Sequence, residues 1–311
     1  MNRARRGSRI VGMDPELEAF LSLLPRADLA DPVAERENFA KLAAAIPPPD
    51  TSNMVVEDRM VPADPEVPVR IYRPHDAQGA IIWLHGGGWV MGDVDTEHPW
   101  AGRLADMSGA VVISVGYRLA PENPFPAAFD DAYATLVWAA ENAAELHIDP
   151  SRIAVGGHSA GAGIAAGIAL RARDEDGPRI CFQLLSQAGL DDRQQTWSAR
   201  KFTDTPWLTT GKVAQAWQHY LGGATPTAYA APARATDLSD LPPAHITAAE
   251  FCPNRDDDIT YALRLLQAGV AVELHQWAGT FHGSQAILSA EVSQRQLAEL
   301  GDVLRRALAQ P

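Results

Sequence analysis

Short, continuous apolar runs alternate along this chain with segments of helical periodicity. Six runs have the length of strands that are buried on both faces: residues 80–84, 111–115, 153–155, 180–185, 244–248 and 270–274. Helical patterns lie between them and after them: residues 98–108, 126–144, 160–173, 256–268 and the leucine-rich end around 297–308. Two earlier strand-like stretches, 54–61 and 67–72, flank a Pro/Asp turn and predict an antiparallel pair. The alternation predicts an α/β fold with a mostly parallel sheet flanked by helices.

Two regions depart from this alternation. Asp14-Pro15 and Asp31-Pro32 each begin a helical pattern in the segment 13–50, because Asp caps a helix and Pro suits its first turn. Residues 191–240 contain three tryptophans and many Thr and Pro residues that interrupt regular structure, and they show a helical pattern only near 210–221. We expect both regions to form a helical cap over a catalytic domain spanning 51–311, and residues 1–12 to form a disordered tail.

Composition excludes several classes of protein. The 311 residues include 26 Lys and Arg against 39 Asp and Glu, a net charge of −13 that disfavours binding to nucleic acid. The two cysteines do not form a disulfide framework or a zinc-ligand spacing. The arginine-rich start lacks the apolar segment of a secretion signal, and no run is long enough to span a membrane, so we expect a cytoplasmic protein.

Two glycine-rich strings carry the candidate chemistry. Gly157-His-Ser159-Ala-Gly161 fits G-x-S-x-G, the sharp strand-to-helix turn that exposes a serine hydroxyl. The string His85-Gly-Gly-Gly-Trp fits the turn that supplies backbone N–H groups opposite such a serine. Ser159 is therefore the predicted nucleophile, and Gly86, Gly87, Gly88 and Ala160 are the predicted oxyanion hole.

The predicted base is His282. A serine nucleophile on this scaffold takes its base from late in the chain, and His282 falls between the last predicted strand and the last helix. His275 lies within that strand and is a weaker candidate. Trp89, directly after the oxyanion glycines, and Trp207, in the predicted cap, are candidates for the substrate-binding wall because aromatic surfaces suit an acyl chain.

From Met13 onward the chain resembles the hormone-sensitive-lipase-like esterases, also called bacterial family IV. Besides the two glycine-rich strings, residues 117–122 (YRLAPE) and 124–131 (PFPAAFDD) resemble the sequence segment that precedes the nucleophile in that family. The resemblance implies an α/β-hydrolase fold with an eight-stranded sheet and a helical cap. It also implies a Ser-His-Asp triad, no cofactor or metal, hydrolysis of short- to medium-chain esters, and a homodimer.

One departure from this family concerns the triad acid. The family acid begins a D-P-L-x-D string, and here the string reads Cys252-Pro-Asn-Arg-Asp256, so the acid position holds a thiol. A neutral thiol does not readily hold an imidazole in the tautomer that catalysis requires. Glu250 and Asp256 are equal candidates for a substitute carboxylate, and Asp191 is a third. An impaired triad is the remaining alternative.

These observations predict a lipase-like serine carboxylesterase with a small-molecule ester as its substrate. The alternative from another class is a catalytically impaired homologue that binds a small molecule, a hypothesis motivated by Cys252. A hydrolase of an amide, a lactone or a carbamate would use the same residues on a different bond.

Overall fold

The computed structural model describes residues 12–24, 29–77 and 79–309. Apart from Gly12, the predicted tail lies outside these residues. The central sheet has eight strands in the order β1-β2-β4-β3-β5-β6-β7-β8, antiparallel at β1 and β2 and parallel from β4 to β8. The strands are β1 (Met54–Val61), β2 (Val67–Pro74), β3 (Ala80–Leu84), β4 (Val111–Val115), β5 (Ile153–His158), β6 (Phe182–Ser186), β7 (Ala244–Phe251) and β8 (Val272–Phe281). The predicted α/β fold is confirmed.

Helices cover both faces of the sheet. The α-helices of the described residues are α1 (Pro15–Glu18), α2 (Pro32–Ala44), α3 (His98–Ser108), α4 (Ala127–Glu141), α5 (Ala143–Leu146), α6 (Ala160–Asp174), α7 (Trp197–Lys201), α8 (Thr210–Leu221), α9 (Arg255–Gln267) and α10 (Glu291–Ala309). Buried side chains of α4, α6 and α9 pack in one core cluster, and those of α3 and α10 pack in another. Strands β3, β4 and β5 lie between these clusters and are buried at every position, as their unbroken apolar runs predict.

The main differences from the expected elements lie at the edge of the sheet and in the cap. Strand β8 continues seven residues past the predicted end, to Phe281, because an edge strand needs less apolar sequence than a central one. Helix α1 ends at Glu18, and residues 19–24 form turns with N–H groups bonded three residues back, such as Phe20 to Leu17. The short helix α7 has no counterpart in the expected elements.

The N-terminal segment and residues 191–240 meet above the carboxyl ends of the central strands. The His219 ring nitrogen Nε2 on α8 lies 2.8 Å from the Leu29 carbonyl oxygen, and the rings of Phe39 and Trp207 lie 6.5 Å apart. A Cβ added to Gly88 would lie 3.4 Å from Ala216 of α8, so this helix covers the loop that follows β3.

Candidate active site

The sharp turn after β5 presents Ser159. This residue has φ 52° and ψ −114°, and a positive φ is costly for any residue other than glycine. Such a strained backbone is typical of the turn that carries a nucleophilic serine. Glycine is required on both sides of it, since a Cβ at Gly157 or Gly161 would overlap the carbonyl oxygen of Leu84. The Ser159 N–H donates to the Ser186 carbonyl at 2.8 Å, which fixes the turn to the neighbouring strand β6.

His282 lies against this serine, directly after β8. Its Nε2 is 2.9 Å from Ser159 Oγ, although the two residues are 123 positions apart. Burial, with a smaller contribution from nearby His158, lowers the pKa of His282 to about 3, so the imidazole is neutral at pH 7. His275, the weaker candidate, instead stacks on Trp277 with ring centroids 3.7 Å apart, and its Nδ1 lies at hydrogen-bond distance, 2.8 Å, from Glu299 Oε2.

The oxyanion glycines form the loop between β3 and α3. A Cβ on Gly86 would lie 3.7 Å from Ser159 Cβ, so this loop runs beside the nucleophile. Gly87 and Gly88 have φ of 118° and 62°, which glycine adopts without strain. Ala160 begins α6 directly after Ser159, and its N–H is one of the free donors of that helix's first turn.

The three proposed substitute carboxylates are engaged elsewhere. Glu250 Oε2 accepts a hydrogen bond from the Gly279 N–H at 2.7 Å, and Asp256 Oδ2 accepts one from the Ser198 N–H at 2.8 Å. Asp191 forms an ion pair with Arg193 at 2.7 Å. Strand β7 ends at Phe251, where its pairing with β8 shifts register, so the strand alternation expected to place Glu250 on the same face as Cys252 does not extend to Cys252.

Cys252 occupies the position beside the base. Its Sγ lies 3.2 Å from His282 Nδ1, on the side of the ring away from Ser159. The side chain is fully buried, and burial together with nearby Asp258 raises the pKa of the thiol well above its usual range. The structure therefore brings together Ser159, His282 and a neutral thiol.

The two candidate tryptophans have different surroundings. Trp89 is 3% exposed, stacks on Tyr220 with ring centroids 4.5 Å apart, and has its ring edge against Gly189. Trp207 is half-buried, and a Cβ on Gly283 would lie 3.4 Å from it, so this side chain abuts the residue after His282.

A cavity of about 250 Å³ borders residues 92–96, which follow the oxyanion glycines. Arg36, Asp93, Thr96, Tyr117 and Leu119 are among its lining residues, whereas Ser159 and His282 are not. The cavity is therefore separate from the reactive pair. Within the described ranges, we find no group of three or more His, Cys, Asp or Glu side chains arranged to hold a metal ion.

A family described by the alpha/beta hydrolase fold matches residues 81–286, a span that contains the oxyanion glycines, Ser159, Cys252 and His282. The chain belongs to this α/β-hydrolase family. The resemblance to hormone-sensitive-lipase-like esterases that the motifs predict is confirmed.

Relatives of this α/β-hydrolase match it over nearly its whole length. The carboxylesterase NlhH of Mycobacterium tuberculosis strain ATCC 25618 / H37Rv is 39% identical over 95% of this chain and 96% of its own. A solved structure named bacterial heroin esterase has a TM-score of 0.92 and 42% identity, covering 96% of this chain and 98% of its own. A thermostable esterase from Pseudomonas putida ECU1011 has a TM-score of 0.91 and 32% identity, covering 98% of this chain and all of its own.

Two buried side chains of this α/β-hydrolase support the site without any motif that signals them. Gln187, after β6, is 2% exposed, and its Oε1 accepts from the N–H of Gly283 at 3.0 Å. Its only sequence signal is that it follows a strand at the carboxyl edge of the sheet, where functional residues collect. Glu97, at the start of α3, is 6% exposed and accepts a hydrogen bond from Trp83 Nε1 at 2.7 Å, and the Trp83 ring meets that of His158, the residue before Ser159, at a centroid distance of 4.9 Å.

The described residues contain no helix that is both long and apolar enough to cross a membrane.

Proposed function

We propose that this α/β-hydrolase is a serine carboxylesterase that acts on short- to medium-chain acyl esters. The observation that carries the proposal is the 2.9 Å distance between Ser159 Oγ and His282 Nε2, beside a glycine loop. A hydroxyl at hydrogen-bond distance from a neutral imidazole is the arrangement that activates a serine. The carboxylesterase and esterase names of relatives at 39% and 42% identity support the same reaction.

In the proposed reaction, Ser159 Oγ attacks the ester carbonyl carbon while His282 Nε2 takes the hydroxyl proton. The backbone N–H groups of Gly86–Gly88 and Ala160 stabilise the negative oxygen of the tetrahedral intermediate. Collapse of this intermediate transfers the proton from His282 to the departing alcohol and leaves an acyl-serine, which water then hydrolyses by the same steps. One donor of an oxyanion hole is worth about 10²–10³ in rate.

Aromatic side chains near His282 support an acyl group as the substrate. Trp207 lies against Gly283 and near Phe39 of α2, so it would form one wall of the acyl site. Trp89 is buried against Gly189, whose N–H donates to the Ser159 carbonyl at 2.9 Å. We assign Trp89 to the wall of the acyl site on the side of Gly189, and Trp207 to the wall on the side of Gly283.

Hydrolysis of p-nitrophenyl acetate and butyrate tests the function, with Ser159→Ala as the nucleophile variant. Ser151→Ala is the matched control, because Ser151 precedes β5 at the end of the strand opposite Ser159. We expect Ser159→Ala to fall to the background rate and Ser151→Ala to equal the unmodified chain. Equal rates for Ser159→Ala and the unmodified chain would refute the proposal.

The contact between Cys252 and His282 favours one alternative, a binding protein with an impaired triad. A fluorophosphonate probe distinguishes the two, because it labels an activated serine without requiring later turnover. Labelling lost in Ser159→Ala supports the enzyme, whereas ligand binding without any labelling supports the alternative. A panel of amide, lactone and carbamate substrates tests the choice of bond.

Segments 13–50 and 191–240 would cover the catalytic domain as a cap, in line with the contacts of His219 with Leu29 and of Phe39 with Trp207. Size-exclusion chromatography with light scattering tests the homodimer that the family resemblance implies. The cytoplasmic location stays a prediction.

A further inference from the structure

Cys252 occupies a fully buried position beside the base, between β7 and α9. His282 Nδ1 approaches its Sγ at 3.2 Å. The Arg255 N–H donates to the Cys252 carbonyl oxygen at 3.1 Å, which fixes the main chain at the start of α9. The nearby backbone N–H groups of Asn254 and Arg255 partly offset the rise in the pKa of the thiol that burial causes.

The possible positions of the protons limit what this contact can do. If the thiol keeps its proton, the acceptor at hydrogen-bond distance from it is His282 Nδ1. His282 then carries its own proton on Nε2 and donates it to Ser159 Oγ. In that tautomer the imidazole cannot take the serine proton, and the pair is inactive.

Loss of one proton from the pair reverses these roles. With Cys252 as a thiolate, His282 holds its proton on Nδ1 and donates it to Sγ, so Nε2 becomes free to accept the Ser159 proton. The thiolate also stabilises the imidazolium that forms during the attack, as the triad carboxylate does in serine hydrolases. The backbone N–H groups and the start of α9 favour this anion.

The charges around the sulfur oppose the anion. On α9, the buried carboxyl groups of Asp258 and Asp257 lie near Cys252 and oppose a thiolate once they are ionised. Burial raises the pKa of Asp257 to about 7 and that of Asp258 well above its ordinary value, and burial is also the largest factor that raises the pKa of the thiol. On β5, His158 is the other titratable group facing His282, and burial lowers its pKa to about 4, so it is neutral above that pH. The protonated, inactive form therefore dominates at neutral pH.

We propose that Cys252 replaces the triad carboxylate as the positioning residue for His282, and that Ser159 is activated only when Cys252 is a thiolate. This inference rests on the proposed serine carboxylesterase function. Because the active form has one proton fewer than the resting form, kcat/KM rises about tenfold per pH unit below the ionisation of the pair.

The test is a pH–rate profile of p-nitrophenyl acetate hydrolysis from neutral to alkaline pH, corrected for spontaneous hydrolysis. The unmodified chain is compared with Cys252→Asp, Cys252→Ser and the control Cys181→Ser, which changes the half-buried cysteine before β6. We expect the unmodified chain and Cys181→Ser to rise together. Cys252→Ser should stay slow without that rise, since a serine hydroxyl does not ionise in this range.

Cys252→Asp should give a rate independent of pH through the neutral range. At pH 7 it should exceed the unmodified chain by up to about 10⁴, the loss that follows when the triad aspartate of a serine protease is replaced by its amide. Should Asp at this position prevent folding beside Asp258, the comparison of Cys252→Ser with Cys181→Ser still decides.

A second readout is the ultraviolet absorbance of the thiolate, measured in Cys181→Ser with the double cysteine variant subtracted. Its appearance should follow the same pH dependence as kcat/KM. A profile for the unmodified chain that is already flat at neutral pH, or a Cys252→Ser rate equal to that of Cys181→Ser, would overturn the inference. Failure of the function itself is different, since no variant, including Cys252→Asp, would then show turnover that depends on Ser159.

Discussion

The most direct test of the structure beneath the nucleophile is the replacement Glu97→Gln. Glu97 is 6% exposed, and its Oε1 accepts the Trp83 indole N–H. Trp83 in turn meets His158 edge-on at a centroid distance of 4.9 Å, and His158 precedes Ser159. Glutamine keeps the accepting oxygen and nearly the same shape, but it cannot ionise.

The expected effect follows from proton linkage. Burial raises the pKa of Glu97 from its ordinary value of 4.5 to about 8, while the Trp83 hydrogen bond only partly offsets this. Between these two values the folded chain holds a proton that the unfolded chain has released, so the free energy of unfolding falls as pH rises. At about 1.4 kcal/mol per pH unit, this group destabilises the fold by about 3 kcal/mol at pH 7 and about 5 kcal/mol above pH 8.

Urea unfolding at pH 5, 7 and 8.5 measures this difference for the unmodified chain and Glu97→Gln. We expect the two to be close in stability at pH 5, and the variant to be more stable by a few kcal/mol at pH 8.5. Glu141→Gln, at the exposed end of α4, is the control and should show no such trend. A Glu97→Gln difference that does not change with pH would refute the argument that a protonated carboxyl is buried here.

Three further predictions concern the site and its stability. Gly161→Ala should lose activity and unfold at lower denaturant, because its Cβ would overlap the Leu84 carbonyl; activity and urea midpoints near those of the unmodified chain would contradict the close approach. Gln187→Ala should lower kcat about tenfold with little change in KM. The substitution removes the acceptor of the Gly283 N–H, which costs about 1–3 kcal/mol and loosens the loop that carries His282. An unchanged kcat would show that this hydrogen bond is not needed to position His282. Burial holds the pKa of four histidines below the ordinary value of 6.5, so each lowers the free energy of unfolding by up to about 1.4 kcal/mol per pH unit as the pH falls from 6.5 toward its own pKa, opposite in sign to the contribution of Glu97; unfolding titrations at pH 7, 6 and 5 should therefore show His245→Met gaining stability relative to the unmodified chain as the pH falls, and a difference that does not change with pH would contradict this. These histidines are His85, His158, His245 and His282.

The sequence predicts the central fold well because its signals there are local. Strands β3 and β4 coincide with the apolar runs 80–84 and 111–115, and α3 with the helical pattern 98–108. The two strands are buried at every position and α3 along one side, so burial determines which positions are apolar. At the edge this link weakens, so the continuation of β8 through His275 to Phe281 follows from pairing with β7 and not from its own composition.

The same distinction separates the predictable part of the site from the rest. The turns that hold Ser159 and the oxyanion glycines have steric requirements that few residues other than glycine satisfy. The resulting glycine-rich motifs can be recognised in the sequence. The partner of His282 Nδ1 depends on a three-dimensional choice among Cys252, Glu250 and Asp256, which lie within six positions of one another. A register shift of two residues between β7 and β8 and the direction of each side chain decide it, and the spacing of the residues predicts neither.

The surroundings of position 252 also explain why overall similarity does not report the chemistry there. The side chain meets the ring of His282, which the loop after β8 holds, and the Cys252 carbonyl oxygen accepts the Arg255 N–H at the start of α9. Neither contact fixes which residue occupies the position. A thiol and a carboxylate can therefore exchange without altering the fold, so a TM-score of 0.92 to an esterase is compatible with either. What changes is the number of protons shared by the side chain and His282, because a carboxylate gives its proton up in acid whereas this buried thiol retains it. The pH at which the chain becomes active is consequently set by the ionisation of the Cys252–His282 pair in its buried surroundings, and similarity of the fold does not report it.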